Sequence, residues 1–201
     1  MPTDERVERM RGVLSRRQFD LQVVIDHVHD PHNAAAILRT SDGFGVPSIN
    51  LLYAREEFPE ISNPVAAYSK KWLTIRKFET PEAVVEALRA DGVRIYATNL
   101  APGSLDYREV DWTQPSAVAF GNEHRGCTPE LIALADASVA IPMQGMAQSF
   151  NVSVSAGIIL AEAFRQRAAA GRYPAAWDET REAMLQEWLH REDPAVRRGL
   201  R

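Results

Sequence analysis

The chain has 201 residues, 45% of them hydrophobic and 25% charged, with a formal net charge of −4. That length and composition suit one α/β domain with helices added at its ends, and they exclude a disordered, collagen-like or disulfide-stapled chain. Taken as a whole-chain average, the acidic balance disfavours nucleic acid, because phosphate binding leaves a basic footprint.

Residues 4–17 read as a helix, capped by Thr3, with Val7, Met10 and Leu14 on one face. Residues 21–28 are apolar and rich in β-formers, the pattern of a buried strand. Residues 31–41 form the next expected helix, with Asn33 near its start and Gly43 and Gly45 past its end. A strand over 48–53 follows. Pro59 and Pro64 then make 54–69 a loop with a short helical turn, before a strand over 72–78. Thr80 and Pro81 open a helix that Gly92 ends. Strands are expected over 93–99, 116–121 and 138–143, with a short helix over 128–135 between the last two. A long helix over 151–170 stops at Gly171, and Asp178 caps a final amphipathic helix to His190. Its apolar residues Met184, Leu185, Trp188 and Leu189 sit on one side. Alternating strands and helices predict an α/β fold, a parallel sheet with helices on both faces, flanked by N- and C-terminal helices. The expected divisions are a helical extension over 1–18, a core over 19–171 and a second extension over 172–201.

Cys127 stands alone, which excludes an intramolecular disulfide and a multi-cysteine zinc site. The start of the chain is charged from Asp4 and has no apolar signal-peptide region. No run of about 18 apolar residues offers a membrane span. A soluble cytoplasmic protein without membrane or metal partners is expected. His27, His29 and His32 are the one histidine cluster, and 27 and 29 would share a face on a continuing strand. No carboxylate or cysteine has an obvious matching place, so a metal site is not assigned.

Local charge says more than the average. Residues 1–17 carry +2, residues 18–164 carry −8, and residues 165–201 carry +2, with every basic residue of the two ends an arginine. Arginine suits bidentate phosphate contacts, although two solvated amphipathic helices would show the same charge.

Ligands of open α/β sheets bind beyond the carboxyl ends of the strands, where four stretches fall. In D-P-H-N-A-A-A-I-L-R (30–39), helical spacing turns Asn33 and Arg39 in different directions, so one can orient the helix start while the other reaches outward. In A-F-G-N-E-H-R-G-C-T (119–128), glycines permit close backbone approach, and Glu123 is a candidate acid/base or hydroxyl acceptor. In I-P-M-Q-G-M-A-Q-S-F-N-V-S-V-S (141–155), Ser149, Asn151 and Ser153 gather where a helix start leaves N–H groups free. In Y-A-T-N-L (96–100), Thr98 and Asn99 end a strand. Each stretch also reads as an ordinary cap or turn. G-x-G-x-x-G, a phosphate-binding loop and a G-x-S-x-G elbow are all absent.

Three of these segments, N-A-A-A-I-L-R at 33–39, G-N-E-H-R-G at 121–126 and the run at 141–155, resemble in order the three motifs of the SPOUT superfamily, and within it the TrmH branch of RNA ribose 2′-O-methyltransferases. R-R-Q-F-D-L before the first strand, D-Y-R-E-V-D at 106–111, and F-R-Q-R with A-G-R-Y after it extend the resemblance over about 6–175. Asp30, Phe150 and Cys127 depart from the family pattern.

The resemblance implies a deep trefoil knot in the C-terminal part of the core, a homodimer, and S-adenosylmethionine as cofactor. Its site positions are Asn33, Arg39, Glu123, Ser149 and Asn151. Thr98, Asn99, Gly121, Asn122, Ile141, Met143, Phe150 and Asn151 would hold the cofactor. It implies that Arg39 activates a ribose 2′-hydroxyl. A guanidinium is a poor base, with a pKa above about 12, so stabilising the developing alkoxide is the alternative. Asn33 would hold Arg39 or a phosphate, Ser149 and Asn151 would shape the pocket, and Glu123 would orient the turn or accept from a positive partner. Arg9, Arg11, Arg16, Arg17, Arg165, Arg167 and Arg172 are the expected RNA contacts. The implied substrate is guanosine 18 in the D-loop of tRNA. Ribosomal RNA, a non-catalytic RNA-binding role and an unrelated nucleotide-binding protein are the competing readings.

Overall fold

The computed structural model describes residues 2–54, 58–59 and 71–192. Most of the loop expected over 54–69, and residues 193–201 of the C-terminal extension, lie outside the described residues. Two compact units are formed, one from residues 1–17 and 171–201, the other from 18–170.

In the larger unit, seven strands make one wholly parallel sheet: β1 (Leu21–Asp26), β2 (Ser48–Leu52), β3 (Thr74–Phe78), β4 (Arg94–Thr98), β5 (Leu105–Asp106), β6 (Ser116–Phe120) and β7 (Ala137–Ala140). The spatial order is β3-β2-β1-β6-β4-β7-β5. β5 is a two-residue edge strand that the sequence pattern does not reveal, being too short to show a period. The strand expected over 138–143 begins at Ala137 and ends at Ala140, which leaves Ile141 and Met143 in the following loop.

The sheet is covered on both faces, as the pattern implies. Side chains alternate across a strand, so Val23 and Ile25 face one core while Val24 faces the other. The first core packs against α2 (Pro31–Gly43) and α5 (Val152–Ala169), through Ile37, Leu38, Ile159 and Leu160. The second packs against α3 (Pro81–Ala90) and α4 (Pro129–Leu134), through Val84, Leu88 and Leu131. α1, Asp4–Leu14, and α6, Glu179–Glu192, belong to the smaller unit and pack on one another. Thr3 caps α1 by accepting from the Arg6 N–H, and Thr80 caps α3 by accepting from the Ala83 N–H. Among the described residues no helix is long and apolar enough to cross a membrane.

Two of the expected RNA-contacting arginines are interior. Arg17 is 1% exposed, with its guanidinium 5.7 Å from the centre of the Trp188 ring. Arg167 is 0% exposed. It donates to the Trp112 and Gln114 carbonyls at 2.7 and 3.0 Å, to Gln18 at 3.1 Å and to Asp20 at 2.5 Å. Both side chains fasten the fold and have no face to offer a phosphate. Of the others, Arg9, Arg16 and Arg165 are exposed, and Arg11 and Arg172 are half-buried. Arg165 pairs with Glu162, and Arg11 lies over Trp177 and 3.7 Å from Glu182.

Candidate active site

The loops after β4, β6 and β7 meet beyond the carboxyl ends of the strands and line a cleft of about 450 Å³. Thr98, Asn99, Gly121, Asn122, Ile141, Met143, Phe150 and Asn151 all line it, with Glu123 and Ser149. Asn33 and Arg39 do not.

The turn after β6 forms one wall. Asn122 and Gly126 bridge one another at 2.9 and 2.8 Å, and the Asn122 Oδ1 accepts from the N–H groups of His124 and Arg125. Closing this turn requires Gly126 at φ 71°. It also requires a glycine at 121, where a Cβ would fall 2.0 Å from backbone atoms of Gly126 and Cys127. Thr98 donates to the Ala119 carbonyl at 2.9 Å and lies 3.6 Å from the Cys127 sulfur. Burial pushes the Cys127 thiol up to about 12, with the Asp26 charge adding to the rise. Cys127 is therefore an inert packing residue.

Glu123 organises the polar side of the cleft. Its Oε2 accepts from the His29 N–H at 3.0 Å, and its Oε1 accepts from the Asp30 N–H at 3.0 Å and the Asn33 amide at 2.9 Å. Partial burial opposes its charge, but the bonds from Asn33, His29 and Asp30 outweigh that and hold its pKa below the usual glutamate value. An ionised carboxylate with both oxygens engaged is a poor proton-transfer group. These bonds suit Glu123 to orienting the turn and the start of α2.

Asn33 differs from expectation. It neither caps α2 nor holds Arg39. Asp30 is the cap, accepting from the His32 N–H at 2.8 Å, which accounts for an acid at this position. Asn33 instead joins two pocket loops, donating to Glu123 and accepting from the Asn151 amide at 3.0 Å. Asn151 caps α5, its Oδ1 accepting from the Ser153 N–H at 2.8 Å. One chain of hydrogen bonds, Glu123–Asn33–Asn151, thus ties the starts of α2 and α5 to the turn after β6. Arg39 lies farther along α2, is exposed, and makes no hydrogen bond or ion pair among the described residues.

The histidine cluster does not share a face. β1 ends at Asp26, and His27 takes a left-handed φ of 52°, which breaks the alternation that would align 27 with 29. No three His, Cys, Asp or Glu side chains among the described residues are grouped to hold a metal ion.

The chain's core, residues 20–161, matches the SpoU rRNA methylase family. The chain is 42% identical over 191 residues to the tRNA (guanosine(18)-2′-O)-methyltransferase of Thermus thermophilus, covering 94% of this chain and 98% of that protein. The crystal structure of a TrmH/SpoU tRNA-modifying enzyme from A. aeolicus superposes with a TM-score of 0.87 at 40% identity, covering 94% of this chain and 97% of that one. The SpoU methyltransferase AviRb of Streptomyces viridochromogenes, solved with AdoMet, superposes with a TM-score of 0.64 at 30% identity, covering 84% of this chain and 67% of that one. With its core matched and relatives of this identity spanned over nearly their whole length, the chain belongs to the SpoU rRNA methylase family.

Proposed function

We propose that the protein is an S-adenosylmethionine-dependent tRNA ribose 2′-O-methyltransferase acting on guanosine 18 of the D-loop. The observation that carries this is the Glu123–Asn33–Asn151 chain of hydrogen bonds, which joins the cleft to the helix bearing the uncommitted Arg39. Relatives bearing that activity in their names support the substrate.

The cleft fits a nucleoside-sized cofactor. Its volume suits one small molecule, Ile132, Val139, Ile141, Met143 and Phe150 offer apolar surface, and the loops after β4, β6 and β7 bring polar groups. When bound there, S-adenosylmethionine supplies a methyl group already made electrophilic by its sulfonium. Gly121 and Asn122 keep the turn after β6 closed on one side, and Phe150 and Asn151 border the other. Arg39 places a cation against the ribose 2′-oxygen as its proton passes to a phosphate of the RNA, lowering the cost of the developing alkoxide. Asn33 and Glu123 hold the start of α2, and Ser149 shapes the cleft rim.

The protein acts as a homodimer in this reading. On α5, Ala156, Leu160 and Ala163 are buried, while Val154 and Ala161 are exposed on the opposite, mixed side and Phe164 is exposed at the flank. Val154 and Phe164 leave apolar surface uncovered beside Arg165 and Glu162, and a second copy supplies the cover. The loops lining the cleft are those the family resemblance implies to be knotted, which supports a trefoil knot against the general rarity of knots. Of the arginines expected to contact RNA, Arg9 and Arg16 of the smaller unit and Arg165 of α5 are exposed to phosphate. Action in the cytoplasm accords with a tRNA substrate.

The test is to incubate the purified protein with labelled methyl donor and, separately, tRNA and ribosomal RNA, and then to map the label. One 2′-O-methylguanosine at position 18 is expected. Label confined to ribosomal RNA would overturn the substrate, and no label in either RNA would overturn the enzyme.

A further inference from the structure

One buried carboxylate beside the cleft has no part in the chemistry above. Asp26, the last residue of β1, is 0% exposed. Its Oδ2 accepts from the Thr128 N–H at 2.6 Å and from the Thr128 hydroxyl at 3.0 Å, at the start of α4. Its Oδ1 lies 2.6 Å from the His27 Nδ1. His27 Nε2 accepts from the Ala54 N–H at 3.1 Å, just beyond β2. That contact settles the tautomer: Nδ1 carries the proton and donates it to Asp26.

His27 bends the chain. Its φ of 52° belongs to the left-handed region, which a side chain with a Cβ adopts only when its surroundings hold it there. The ring is held by Asp26, Ala54 and the tilted ring of Tyr53, whose centre lies 5.5 Å away. Beyond the bend, the His27 carbonyl accepts from Asn122 at 2.9 Å, and the Val28 carbonyl accepts from the Tyr53 hydroxyl at 2.8 Å. The N–H groups of His29 and Asp30 then both reach the Glu123 carboxylate. A continuing strand would send successive N–H groups to opposite sides. The bend lets two in a row meet one acceptor.

We infer that Asp26 and His27 are positioning residues for methyl transfer, a buried clamp holding the 27–30 bend that aims these two N–H groups at Glu123 and so seats Asn33 and α2, the helix that carries Arg39. The inference rests on the methyltransferase reading for its effect on turnover, while the clamp itself is visible without catalysis. Because Asp26 also holds Thr128, substituting it endangers the fold. His27 is the better probe.

The full chain is compared with its His27→Ala, His27→Gly and His27→Asn variants. Alanine removes the donor and disfavours the bend. Glycine accepts the bend without a donor. Asparagine keeps a donor near the Nδ1 position and tolerates left-handed φ. For His27→Ala, kcat on tRNA is expected to fall at least tenfold while the dissociation constant for S-adenosylmethionine changes less than threefold. His27→Asn should recover most of the loss, and His27→Gly should not. Without turnover, hydrogen exchange at the His29 and Asp30 amides should accelerate at least tenfold in His27→Ala and stay near wild type in His27→Asn, and nitrogen NMR of the wild type should show the Nδ1–H tautomer.

Unchanged kcat in His27→Ala would overturn the inference. So would losses in all three variants that merely follow their melting temperatures. If the wild type transfers no methyl group, the function fails, and the exchange and tautomer measurements still decide the clamp: unaltered exchange or an Nε2–H tautomer would overturn it.

Discussion

Across β1, β2 and β3, Gln22, Asn50 and Arg76 form a polar network with Asp91. Gln22 donates to Asp91 at 2.9 Å, Asn50 donates to Gln22 at 3.1 Å, and Arg76 donates to Asn50, Gln22 and Asp91 at 2.8, 2.9 and 2.7 Å. Beyond the carboxyl ends, Glu123, Asn33 and Asn151 form a second network from similar residue types. In the first, the arginine is the hub and its charge is spent on neighbours. In the second, the carboxylate is satisfied by two backbone N–H groups and an amide, and the nearest arginine in sequence on α2 stays uncommitted. Residue types alone do not separate a fastening from a site. The commitment of the cation does, because a guanidinium whose donors are taken has none left for a substrate.

Burial divides the arginines of the chain ends, since exposed Arg165 is paired too, with Glu162, and substitution breaks that division most visibly there. Arg167→Ala removes the buried cation from Asp20, the donor from the Trp112 carbonyl and one of two donors from the Gln114 carbonyl, so a loss of about 3 kcal/mol in unfolding free energy is expected, read by denaturant titration. Arg165→Ala, two residues away and exposed, should change stability by less than about 0.5 kcal/mol and instead weaken the salt dependence of tRNA binding. Equal destabilisation by the two would erase the contrast.

A smaller effect is expected from Glu123. Its pKa is lowered in the folded protein, so its contribution is complete above the ordinary glutamate value of about 4.3 and disappears as pH falls through the lowered folded value. The stability gap between wild type and Glu123→Gln should therefore be flat from neutral pH down to that range and close below it. A gap that closes near neutral pH would show a raised pKa and restore a proton-transfer role.

Much of this was legible in the sequence. Alternating apolar strands and capped helices state the layered fold, and the polar residues at strand ends, read with the family motifs, mark the cleft lining. What escaped depends on contacts distant along the chain. Arg17 and Arg167 look like surface cations until Trp188 and Asp20 are seen beside them. The strand order, with β6 inserted between β1 and β4, has no local signature. Asp30 and Asn33 are both good capping residues, and only the position of Glu123 decides which one is drawn away. Asp26 did carry a signal, a charged residue ending an apolar strand, since such a group is buried only when it is paired.

Arg39→Lys tests the central claim most directly. Lysine keeps the charge and the helix but loses the planar fork of donors. Turnover on tRNA and affinity for S-adenosylmethionine are measured on the same preparation. A fall in kcat of at least 100-fold, about 2.7 kcal/mol in the barrier, with cofactor affinity unchanged is the expected result. A near-normal rate would remove Arg39 from the transfer and contradict the account.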